Sequence, residues 1–96
     1  MSIPRRQIET ALGAKGFVRR NNKHRYFHHV YRGKQTGIVT FTSHGPSYKV
    51  YDDSLLGAMK RQLGLDTMRQ VRDLLLCPIS GDEYVRILRE KGVIRE

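Results

Sequence analysis

Apolar residues recur at helical spacing near the start of the chain, then give way to aromatic and β-branched residues. Ile8, Ala11 and Leu12 fall at i, i+3 and i+4, one stripe of a short helix. Ser2 is its expected cap, and Pro4 stands in the first turn, where its missing N–H costs little. Gly16 stops the helix after Lys15, whose charge suits the negative end of the helix dipole. Residues 17–20 predict a first strand, Asn21-Asn22-Lys23 a turn, and residues 24–31 a second strand rich in aromatic side chains. Arg32-Gly33-Lys34-Gln35 turns the chain into a third strand over residues 37–43. Strand alternation puts Arg25, Phe27, His29 and Tyr31 on one face, and His24, Tyr26, His28 and Val30 on the other. Both faces carry apolar residues. The reading adopted places Phe27 and Tyr31 inside with Val39 and Phe41, leaving His24, Tyr26 and His28 on an open face.

The second half is helical. Residues 43–47 form a loop around Gly45-Pro46, and residues 48–51 an extended link. Asp52 or Asp53 caps a helix to about Leu63, with Leu55, Leu56, Met59 and Leu63 inward and Gly64 at its end. Two capping-box signatures follow. Thr67-x-x-Gln70 precedes Val71, Leu74 and Leu75, and Ser80-x-x-Glu83 precedes Tyr84, Ile87 and Leu88. Cys77-Pro78 separates these helices and Gly92 stops the last. The expected class is α+β, in the order α-β-β-β-α, with a three-stranded antiparallel sheet, helices on one face and a C-terminal helical extension. Residues 1–66 form the core, and residues 67–96 an extension packed on the same single domain. That order is the one double-stranded-RNA-binding domains use.

Charge changes the picture. Residues 1–50 carry ten Lys/Arg against the single acid Glu9, and residues 51–96 carry eight against eight, so the formal excess of +9 lies wholly in the first half. An excess confined to one half and interleaved with Tyr, Phe and His points to a surface for a polyanion. No apolar run approaches the roughly 20 residues of a membrane span, and the N-terminal residues lack a signal peptide's apolar core. A cytoplasmic protein with no membrane partner is therefore expected. Cys77, the one cysteine, has no partner for an internal disulfide and reads as a buried hydrophobe.

His24 is the sharpest chemical candidate. It starts a strand after a turn, among Arg19, Arg20, Lys23 and Arg25. An imidazole, with an ordinary pKa near 6.5, takes or gives a proton at neutral pH, and cations hold a phosphate and its developing charge. The ribose 2′-OH supplies an internal nucleophile, so neither a metal nor a covalent enzyme intermediate is required. The competing reading is a polar residue at a strand start. His44, in the Gly-Pro loop, is the candidate partner acid, or else a loop cap. Tyr26, His28 and Lys49 join Arg19, Arg20, Lys23 and Arg25 as candidate RNA contacts. No metal site and no cofactor are expected, because residues 1–50 hold no cysteine and one carboxylate.

The opening helix ending in Gly16-Phe17, the basic Val18-Arg19-Arg20, the turn closing on His24, the strand pair, Ser43-His44, and the closing LLGAMKRQLGL together resemble the HicA family of toxins. The resemblance spans about residues 3–66. It implies a double-stranded-RNA-binding-like fold, cleavage of mRNA by one histidine that falls on His24, and a HicB-type antitoxin as partner. Asn22-Lys23-His24 stands where the family has Gly-Ser-His. The expected function is a metal-independent endoribonuclease toxin. The alternatives are a catalytically silent RNA-binding module of the same fold, or an adaptor that binds protein through its helical extension.

Overall fold

Each apolar segment forms one element, in the order β1 (Ile3–Pro4), α1 (Arg5–Ala14), β2 (Phe17–Asn21), β3 (Arg25–Tyr31), β4 (Lys34–Thr42), β5 (Val50–Tyr51), α2 (Asp53–Leu63), α3 (Met68–Leu75) and α4 (Gly81–Glu90). This is a computed structural model describing residues 2–21, 23–43, 45, 49–76 and 78–94. The expectations for Asn22, His44, Tyr48 and Cys77 fall outside those residues. Among the described residues the chain is α+β, with four helices, a three-stranded antiparallel sheet in the order β2-β3-β4, and a two-stranded pair β1-β5. No helix among the described residues is long and apolar enough to cross a membrane.

The start of α1 differs from expectation. Pro4, not Ser2, holds the N-cap position, with φ −61°, ψ 140° and no side-chain cap. Ile3 and Pro4 are extended because they pair with Tyr51 and Val50, and an edge strand tolerates a proline that has no N–H to donate. Lys15 does not serve its own helix either. It is only 7% exposed, and its ammonium donates to the carbonyls of Leu74 (2.6 Å) and Ile79, meeting the negative end of α3.

Strand β4 begins at Lys34, earlier than expected, because Arg32 and Gly33 alone make the turn. Their φ values of 52° and 77° are both positive, as a two-residue hairpin of the twist-matching kind requires. The inward face is also corrected. Tyr26 pairs with Phe41 and His28 with Val39, so Phe41 and Val39 lie on the outer face with their partners. Thr40 and Thr42 face inward with Phe27 and are fully buried. Burial is tolerable because Thr40 donates to Gln62 Oε1 (2.6 Å) and Thr42 to Glu9 Oε2 (2.7 Å).

Helices α3 and α4 share the core of the rest, through Val71, Leu74, Leu75, Tyr84 and Leu88. Thr67 and Gln70 form a full capping box on α3, and Ser80 caps α4 by accepting from the Glu83 N–H. Helix α4 sends Tyr84 into the centre, stacked on Phe17 at 5.7 Å and edge-on to His29 at 5.1 Å. The Tyr84 hydroxyl donates to the Leu63 carbonyl at 2.7 Å, satisfying one of the orphan acceptors at the end of α2. Burial pushes the Tyr84 phenol well above its ordinary pKa.

His29 is a core histidine. It is 1% exposed, Nδ1 lies 2.9 Å from Thr36 Oγ1, and burial pushes its pKa down. The folded protein thus favours the neutral ring, while the unfolded chain binds the extra proton. Stability from this site is complete above the ordinary value of 6.5 and falls as pH drops from there through the folded value. The urea midpoint should be lower at pH 5.5 than at pH 7.5, and His29→Gln should shrink the difference. A parent midpoint equal or higher at pH 5.5 would contradict this role.

Candidate nucleic-acid interface

The inner face of the sheet is filled by side chains from the helices, and the described elements leave much of the outer face open. Val18 is 47% exposed and Phe41 37%, with Tyr26, His28 and Val39 half-buried between them. The register makes two rows across the strands, Arg20–Tyr26–Phe41 and Val18–His28–Val39. An apolar and aromatic surface bordered by cations offers stacking planes for bases and charge for phosphates.

His24 stands at the end of this face, immediately before β3. Its ring lies 5.1 Å from Phe41 and 6.1 Å from Tyr26, and those two rings are 5.9 Å apart. Three rings therefore hold one another in place on the outer face of the sheet. Nδ1 of His24 is enclosed with no hydrogen-bond partner among the described residues, as is Nδ1 of His28. Among the described residues, ring packing rather than an orienting carboxylate positions His24. His24 and His28 are four residues apart, about 13 Å along a strand, so they do not converge on one reacting atom.

The four cations expected around His24 divide between two faces. Arg20 lies opposite Tyr26 on the outer face, and Lys23 is exposed in the turn directly before His24. Arg19 lies opposite Phe27, on the other face, and its Nε donates to Asn21 Oδ1 at 3.1 Å. Arg25 also turns inward. Its Nη1 sits 2.9 Å from both carboxylate oxygens of Glu9. The cause is the two-residue period of a strand: neighbours in sequence cannot share a face.

Glu9 is the functional neighbour that sequence reasoning treated only as a charge count. Burial raises its pKa, but hydrogen bonds from Thr42 and Arg25, with the charges of Arg25 and Arg19, outweigh that and hold it below its ordinary value. It ties α1 to the paired residues Arg25 and Thr42 at the end of the sheet, one residue from His24. On the same side, Arg5 Nη1 donates to the carbonyls of Ser43 (2.6 Å) and Gly45 (3.1 Å), and the Ser43 N–H donates to Tyr51 Oη at 3.1 Å. Lys49 is exposed and lines one groove with Arg5 and Arg25, on the inner side of the rim from the His24 cluster. His44, the expected partner acid, lies outside the described residues. Among the described residues no group of three or more His, Cys, Asp or Glu comes together.

No family model, no curated protein and no solved structure matches the chain.

Proposed function

We propose that this chain is a metal-independent endoribonuclease toxin of the HicA type, acting on mRNA in the cytoplasm and neutralised by a HicB-type antitoxin. The observation that carries the reading is His24 itself, held by Tyr26 and Phe41 on the outer face of the sheet with Arg20 and Lys23 beside it. The element order supports it further. A helix, three antiparallel strands and a helix, with helices against one face, is the plan of double-stranded-RNA-binding domains. The resemblance over residues 3–66 supplies the toxin class and the antitoxin partner.

In this reading Tyr26 and Phe41 stack on unpaired bases, while Arg20 and Lys23 hold the phosphate. His24 serves as general acid/base, with His44 assisting. The 2′-oxygen bonds to phosphorus as the bond to the 5′-oxygen breaks. The proton leaves the 2′-OH for a base and returns to the departing 5′-oxygen, giving a 2′,3′-cyclic phosphate and a 5′-hydroxyl. Cleavage of a defined RNA by the purified chain in chelator tests the proposal.

A silent RNA-binding module on the same face is the second reading. Asn22-Lys23 in place of Gly-Ser, together with an Nδ1 that lacks an orienting partner among the described residues, favours it.

A further inference from the structure

Helix α1 starts beside β5 and the start of β3, and the space between them is a groove lined by Pro4, Arg5, Arg6, Glu9, Arg25 and Lys49. Four of these carry positive charge and one is acidic. The acid is engaged internally, accepting from Arg25 at both oxygens and from Thr42 at one. Arg5 donates to two neutral carbonyls, of Ser43 and Gly45, so those bonds do not compensate its charge. Arg6 and Lys49 are exposed, and residues 1–50 contain no further acid. Like charges gathered in a concave site raise a positive potential that low-dielectric walls focus outward, and an anion relieves their repulsion.

Position says which anion. Arg25 follows His24 directly in the chain and pairs with Thr42 at the rim of the sheet. The groove and the His24 cluster therefore lie on the two sides of one rim. A single strand with its cleaved linkage at His24 has only to cross that rim for a flanking phosphate to reach Arg6 and Lys49. We propose that the groove is a second phosphate site, holding the backbone of the same RNA strand beside the cleaved linkage, with Arg6 and Lys49 binding the phosphate and Arg5 as a fixed wall. The proposal rests on the RNA reading above. Groups of this kind position a strand without reading its bases, so the groove adds affinity and not sequence preference.

The test uses the full chain and a fluorescently labelled single-stranded RNA, titrated by anisotropy across a range of KCl. Arg6→Glu and Lys49→Glu should each weaken binding about tenfold. Each should also flatten the log–log salt slope by about 0.7 for every phosphate that is no longer neutralised. Arg6→Gln and Lys49→Gln should shift both quantities in the same direction by less. Both side chains are exposed, so the melting temperatures of all four variants should match the parent's. In cleavage, KM should rise while kcat at saturating RNA stays within about twofold, since the groove does not touch the reacting atoms. Affinity and slope equal to the parent's, with Arg20→Glu still weakening binding, would overturn the groove and leave the sheet face standing. No loss from Arg20→Glu either would overturn both. A fall in kcat at unchanged KM would also overturn the groove as a site of ground-state binding.

Discussion

His24→Ala should lower the rate of RNA cleavage by about 10²–10⁴-fold, the usual contribution of a positioned proton-transfer group. Affinity should change little, because Arg20 and Lys23 remain and phosphate binding carries most of the free energy. Stability should fall by about 1 kcal/mol or less. The His24 ring is half-buried and packs on two partly exposed rings, so its removal opens no sealed cavity. His28→Ala is the matched control on the same face of β3. It faces Val18 and Val39 rather than the His24 cluster, and it should retain most of the rate. Single-turnover cleavage, a binding titration and a thermal melt on both variants separate these effects. A His24→Ala protein that cleaves like its parent would make His24 a bystander.

Tyr84→Ala should produce the largest loss of stability, about 3–5 kcal/mol by comparison with other buried aromatic truncations. The side chain is fully buried, touches the rings of Phe17 and His29, and satisfies the last carbonyl of α2. A domain of this size has about 5–15 kcal/mol in all, so the variant should sit near its folding threshold. Tyr84→Phe isolates the hydroxyl. It keeps the ring and leaves the Leu63 carbonyl without its donor, a cost of about 1–3 kcal/mol. Urea denaturation of both variants measures the two effects. A Tyr84→Ala loss below about 1 kcal/mol would show that α4 is attached to the core rather than part of it.

Much of the helical architecture was legible because its signals are local. Thr67 and Gln70 cap α3 reciprocally as their spacing implies, Asp52 accepts from the Leu55 N–H, and Gly64 ends α2 at φ 72°. The stripe Ile8, Ala11, Leu12 is buried as its period requires. The sheet was half legible. Parity along β3 correctly separated Phe27 and His29 from Tyr26 and His28, but the assignment of β4 followed apolar character and put Val39 and Phe41 inside. Loop length carried the answer. An even number of residues between Tyr31 and the next strand puts Thr40 on the face of Phe27 and Phe41 on the face of Tyr26. A register shift of two between His28 and Val30 keeps that parity while setting Thr40 opposite Phe27. What no local pattern disclosed was the pairing of distant polar groups. Glu9 makes Thr42 and Arg25 acceptable inside, and Gln62 does so for Thr40. Lys15 reaching the end of α3, and β1 pairing with β5, are equally non-local.

The measurement closest to the central claim compares two substrates in the presence of EDTA: an RNA, and the same oligomer with 2′-deoxyribose at the cleaved position. The expected result is cleavage of the RNA to 2′,3′-cyclic phosphate and 5′-hydroxyl ends, with the deoxy-substituted linkage left intact. An RNA that is bound but never cut, cutting only after a divalent ion is restored, or a deoxy linkage cut as fast as the ribose one would contradict it.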